Sequence, residues 1–256
     1  MHTNNDSAYV KSETHRGITT IEFFHPQSNA LPGKLLTQLA QEIHFAGVEE
    51  DSKVIILQSA GEKTFCAGAS FDELISIKNA EEGLKFFSGF AHVINAMRKC
   101  PKFIIGRIQG KCVGGGVGLA ASVDYAIASN KADVKLSELA VGIGPFVVGP
   151  AVERKIGKSA FTTLSIDATQ WRSSDWAKRK GLFSEIHESE ENLDEAVHKL
   201  AHTLAHSSTD AMAEMKKTFW AGTEHWDDLL KERAAISGRL VLSEFTRNAI
   251  EKFKQK

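Results

Sequence analysis

The chain has little cysteine: Cys66, Cys100 and Cys112 are the only three among 256 residues. The count is odd and no two stand at metal-ligand spacing, which argues against a disulfide framework and suits a reducing compartment. No apolar run approaches the length that crosses a bilayer, so no membrane partner is expected. Net charge is −1, and no basic stripe offers a footprint for nucleic acid. Met1 to Asp6 are polar and lack an apolar signal core, from which a cytoplasmic location is expected.

What the chain does have is apolar content, 42%, enough at this length for one domain with an appended element. It also has a triple glycine. The stretch Gln109-Gly110-Lys111-Cys112-Val113-Gly114-Gly115-Gly116-Val117-Gly118 follows the apolar run Phe103 to Ile108 and precedes small helix formers. This reads as a buried strand, a glycine turn and a short helix. Glycines let backbone approach closely because no Cβ intervenes. The helix start offers unpaired N–H groups at the positive end of a dipole. Together these suit negative charge. A dinucleotide fingerprint fits badly. Gly116-x-Gly118 with Ala121 loosely matches G-x-G-x-x-A, but Asp124 precedes the next apolar run, Tyr125 to Ala128, instead of following a full helix and strand. A phosphate loop lacks its Gly-Lys-Ser/Thr. Close packing of helix on strand is a second reading. A third is a backbone donor for a carbonyl oxygen that gains charge, and another stretch supports it.

That stretch is Lys63-Thr64-Phe65-Cys66-Ala67-Gly68-Ala69-Ser70-Phe71-Asp72. It follows the apolar run Val54 to Leu57 and precedes an amphipathic segment, so it too is a small-residue turn after a strand. Two such turns can each aim one N–H at a single oxygen. In order and spacing the pair resembles the crotonase, or enoyl-CoA hydratase/isomerase, superfamily, whose turns have the forms F-x-A-G-A-D and G-x-x-x-G-G-G. Here they are Phe65 to Ser70 and Gly110 to Gly116. The similarity continues through Asn29-Ala30-Leu31, through Glu138 with Gly142 downstream, and through Ala177-Lys178-Arg179-Lys180-Gly181-Leu182-Phe183.

The resemblance implies an α/β fold: a spiral of β-β-α units over residues 1–192, binding acyl-CoA, with a helical region at 193–256 that packs on the core or builds a homotrimer or dimer of trimers. It implies that a thioester carbonyl is held by the N–H groups of Ala69 and Gly115 while Glu138 moves protons. Contacts to the thioester substrate fall on Ala67, Ala69, Ser70, Phe71 and Gly115, and at the other end of the chain on Phe253, Lys254 and Lys256, for which a solvated basic end is the alternative. Coenzyme A enters only as part of the substrate. No tightly bound cofactor and no metal are expected. From the residues alone Glu138 is either a carboxylate raised toward neutrality by burial or an exposed edge residue.

One departure stands out. Family hydratases often carry a second glutamate two residues after the triple glycine, where this chain has Gly118. A single carboxylate suffices to move a double bond; hydration or dehydration of an enoyl-CoA needs water held in another way. A non-catalytic acyl-CoA-binding or scaffold member is the alternative.

Elsewhere, Ile18 to Phe24 reads as a strand, and Leu35, Leu36, Leu39, Ile43 and Val48 mark one face of a helix. Residues 76–99 read as a helix stopped by Pro101, its phenylalanines serving either core or acyl pocket. Pro150 to Ile156 and Ser159 to Leu164 read as helices parted by Gly157. Cys66 and Cys112 are either reactive thiols or buried filler. His198, His202 and His206 lie one turn apart beside a helix face, without the glutamate of H-E-x-x-H, and read as solvated. Met212 to Lys256 carries too much apolar surface for a free tail.

Overall fold

A computed structural model describes residues 7–254. Strands β1 (Tyr9–His15) and β2 (Ile18–Phe24) form an antiparallel pair, followed by helix α1 (Gly33–Val48). Three strand pairs come next. β3 (Val54–Ser59) and β4 (Thr64–Cys66) lead to α2 (Phe71–Ser76) and α3 (Ala80–Lys99). β5 (Ile104–Ile108) and β6 (Lys111–Val113) lead to α4 (Gly115–Ser122). β7 (Tyr125–Ser129) and β8 (Val134–Lys135) lead to a 3₁₀ turn, Glu138–Val141, and to α5 (Gly149–Ile166). The remainder is α6 (Ser174–Arg179), β9 (Glu185–His187), α7 (Glu190–Ala205), α8 (Thr209–Phe219), α9 (Trp226–Leu240) and α10 (Glu244–Lys254).

The first strand of each pair joins a six-stranded sheet of order β1-β2-β3-β5-β7-β9, parallel beyond β1. The second joins a smaller parallel sheet of order β4-β6-β8. The chain thus winds as a β-β-α spiral. β3 is buried at five of six positions, as a parallel strand covered on both faces should be. On one face lie α1, α3, α4 and α5 with the main core. On the other, Leu193, Val197, Ala201 and Ala205 of α7 pack against Val54, Ile56, Ile105 and Ile127. The 192/193 boundary read from the sequence therefore falls inside a helix that covers the sheet.

Two details differ from the periodicity. Val48 does not join the buried face of α1: it ends the helix and is 65% exposed, while Ala46 and Gly47 are the buried residues of that turn. The helix expected over 76–99 begins at Ala80, because the Asn79 side chain accepts from the Glu82 N–H and starts a new helix after α2 has ended. Gly157, at φ 77°, divides α5 in two as expected.

The C-terminal helices pack on their own chain. α9 crosses α3 at Gly83 and Gly238, where a Cβ on Gly83 would stand 2.6 Å from the Gly238 carbonyl oxygen. Trp220, Trp226, Leu230 and Ala234 belong to the main core. Asp124, at the position a dinucleotide fold would not explain, ties this region down. Its Oδ2 accepts from the Ile104 N–H at 2.8 Å and from Lys216 Nζ at 2.8 Å, and its Oδ1 from Trp220 Nε1 at 3.0 Å. Lys216 is 2% exposed, so losing the carboxylate would strand a buried ammonium. Asp124→Ala is expected to lower unfolding free energy by about 3–5 kcal/mol in urea titrations; a loss under about 1 kcal/mol would contradict this role.

Candidate active site

The small sheet builds the site. Its strands run parallel, so the carboxyl ends of β4, β6 and β8 lie side by side, where open α/β sheets place ligands. Three turns leave those ends: Ala67-Gly68-Ala69, Gly114-Gly115, and Ser137-Glu138. The first two touch. A Cβ on Gly68 (φ 91°) would lie 3.0 Å from the Val113 carbonyl oxygen and 3.3 Å from the Gly115 nitrogen. Gly114 adopts φ 53°, ψ −116°, a conformation that favours glycine.

The backbone N–H groups around these turns are mostly engaged. That of Ala67 donates to the Ser28 carbonyl at 3.2 Å, that of Ser70 to Leu31 at 3.1 Å and that of Gly114 to Lys135 at 2.9 Å. Those of Ala69 and Gly115 have no protein acceptor among the described residues. Gly115 opens α4, so its N–H also carries the positive end of that helix dipole.

Both turns line a cavity of about 530 Å³ whose walls include Phe71, Leu74, Phe87, Phe90, Val147 and Val148. Glu138 lines it too. Its carboxyl packs on Gly114, where a Cβ would stand 3.0 Å from Oε1, and its Oε2 is closed off from solvent without a hydrogen-bond partner. Burial pushes the Glu138 carboxyl up from 4.5 to about 7. This is the range in which one carboxyl can accept and return a proton near neutral pH. The turn that carries it is held by α10: a Cβ on Gly142 would stand 2.5 Å from Phe245 Cδ1 and 2.7 Å from Thr246 Oγ1.

Ala67, Ala69, Phe71, Gly115 and Glu138 are thus brought to one cavity. Ser70 is not among its walls. It is 4% exposed and its hydroxyl accepts from the Glu73 N–H, capping α2. Phe253 and Lys254 end α10 with side chains outside the described set, and Lys256 lies outside the described residues. The phenylalanines of α3 divide: Phe87 and Phe90 line the cavity, and Phe86, which is not one of its walls, packs against the cluster of Leu74, Ile143, Val241 and Ile250. Cys66 and Cys112 are fully buried; burial pushes the Cys66 thiol up to about 12 and raises Cys112 as well, so both are core filler and not nucleophiles. His198 and His202 stand exposed on α7 and His206 at its C-terminal cap, with the last two rings 4.3 Å apart. Sequence reasoning missed four polar residues of the cavity wall, Lys135, Ser137, Thr169 and Ser237, since no motif links them.

Gly118 is occupied by packing. A Cβ there would meet Val148 Cγ1 at 2.4 Å, so the second glutamate of two-carboxylate sites has no room without moving Val148, the residue just before α5.

A sequence model of the family described as enoyl-CoA hydratase/isomerase matches residues 13–253. A probable enoyl-CoA hydratase of Bacillus subtilis is 26% identical over 241 residues, 93% of this chain and 93% of that protein. An indene-carboxyl-CoA hydrolase of Mycobacterium tuberculosis is 27% identical over 206 residues, 78% of this chain and 79% of that protein. The crystal structure of enoyl-CoA hydratase from Bacillus halodurans superposes with a TM-score of 0.88 at 24% identity, covering 95% of this chain and 99% of that one.

The raised Glu138 carboxyl makes stability depend on pH. Between pH 4.5 and about 7 the folded protein binds a proton that the unfolded chain has released, so stability falls as pH rises through this window. Glu138→Gln removes the buried charge. It is expected to stabilise the protein by up to about 3 kcal/mol at pH 8 and to have little effect at pH 4, read from paired denaturant titrations. A pH-independent difference would contradict the burial of this carboxyl.

Proposed function

The chain belongs to the enoyl-CoA hydratase/isomerase family, and from that premise we propose that it moves the double bond of an enoyl-CoA through a thioester enolate. The observation that carries this reading is Glu138: a single buried carboxyl beside the glycine turn, with one oxygen unpartnered and an affinity for protons near pH 7. The thioester carbonyl sits between the N–H groups of Ala69 and Gly115. The ionised Glu138 takes a proton from the carbon next to the carbonyl. The electron pair moves into the carbonyl oxygen, where the two N–H donors meet the new charge. The protonated Glu138 then returns the proton to the far carbon of the allylic system, the double bond shifts, and the carboxylate is regenerated.

Donors fixed in the backbone need no reorganisation as charge develops, and losing one such donor costs about 3 kcal/mol in a well-studied hydrolase. Hydration needs a water held and activated apart from the proton donor. The second carboxylate that would do so has no room at Gly118, which favours isomerisation. The same proposal includes a homotrimer or dimer of trimers, testable by light scattering as three or six times 28.0 kDa.

Turnover of matched 2-enoyl- and 3-enoyl-CoA substrates tests the reading. The 3-enoyl substrates are expected to be isomerised with kcat/KM rising with pH through about 7, and Glu138→Gln is expected to lose about a hundredfold or more. Fast hydration of 2-enoyl substrates, or full activity in Glu138→Gln, would overturn it.

A further inference from the structure

The cavity wall carries one charged residue besides Glu138, namely Lys135. No ion pair joins the two, and among the described residues no carboxylate pairs with Lys135. Its Nζ instead stands 4.5 Å from the centroid of the Trp171 ring, which it shares with Lys111 Nζ at 4.9 Å. The two ammonium groups share one indole, and among the described residues no carboxylate pairs with either; an anion nearby would be attracted by both. The segment carrying Trp171 is tied to β8 by pairing of Arg172 with Val134, and its Thr169 lines the same cavity. Lys135 thus lines the cavity while its Nζ stands over Trp171, which is not one of the cavity's walls, and we take that ring to mark the rim.

Strand order says which part of a substrate this rim would meet. β6 lies between β4 and β8, and Lys135 pairs with Val113 on the β8 side. The Ala69 and Phe71 end of the cavity is on the β4 side. A thioester carbonyl between Ala69 and Gly115 that offers its neighbouring carbon to Glu138 turns that carbon toward the β8 side, where Lys135 stands.

We propose that the acyl group carries a second carboxylate, bound by Lys135 at the Trp171 rim, so that dicarboxylic monothioesters are the preferred class. The proposal rests on the acyl-CoA reading above. Its test uses unreactive saturated thioesters, so it does not depend on which reaction follows. Calorimetric titration of the full chain would compare butyryl- with succinyl-CoA, pentanoyl- with glutaryl-CoA, and hexanoyl- with adipyl-CoA.

At least one dicarboxylic member is expected to bind about tenfold or more tightly than its partner, the order expected of a charge-assisted hydrogen bond. Lys135→Met should abolish that preference and Lys135→Arg should keep most of it. Equal affinities within every pair, or a loss in Lys135→Met shared equally by both members, would overturn the proposal. If none of the six thioesters bound, the acyl-CoA reading itself would fall, and this proposal with it.

Discussion

The site depends on backbone brought closer to backbone than side chains allow. Gly116 sits against the β4 end so tightly that a Cβ would stand 2.2 Å from the Cys66 carbonyl oxygen, and Gly115 lies under the Phe90 ring at a similar 2.2 Å. Gly68 meets Val113 and Gly115 in the same way. These contacts bring two turns from different strands into register, and the register leaves the N–H groups of Ala69 and Gly115 unpaired on one cavity wall. A side chain at Gly116 or Gly68 would part the turns, and one at Gly115 would displace the Phe90 ring. The Glu138 carboxyl completes the arrangement by resting on Gly114, a fourth place where no Cβ intervenes.

Energetically the arrangement is costly and is compensated elsewhere. Two unpaired backbone donors and an unpartnered carboxyl oxygen are kept in a largely apolar cavity, where each is disfavoured without a partner. The surrounding structure holds them there. β4, β6 and β8 are tied edge to edge, α10 packs on the turn after Glu138, and α8 is anchored by Asp124 to β5 and β7. Residues that the protein leaves unsatisfied at a cavity wall are those a ligand can satisfy, which links the packing to the proposed chemistry.

Much of this was legible in the sequence because its cause is local. A buried strand running into glycines spells a turn and a helix start whatever lies around it, so β5 and α4 were readable, as was the kink at Gly157, while the three-residue β6 fell inside the stretch read as a turn. The break between α2 and α3 also had a local signal, Asn79 three residues before Glu82, which the longer apolar periodicity concealed. Glu138 was different. Its burial comes from the cavity, Gly114 and the α10 turn, none adjacent in sequence, so composition around it left two answers open. Lys135, Thr169 and Ser237 share a wall only after the spiral closes. Ser70 stands where the family motif has aspartate, and its hydroxyl serves the start of α2, as a serine before a helix commonly does. The packing of Val148 over Gly118 turns an absent glutamate from a gap in a motif into a filled position.

The central claim is that Glu138 removes a proton beside a thioester carbonyl held by backbone donors. The most direct measurement is hydrogen–deuterium exchange at that carbon of saturated acyl-CoA in D₂O, followed by proton NMR with wild type and Glu138→Gln. The account predicts exchange by the wild type, faster as pH rises through about 7, and none above background for Glu138→Gln. A bound thioester whose protons exchange no faster with the wild type than with the variant would contradict it.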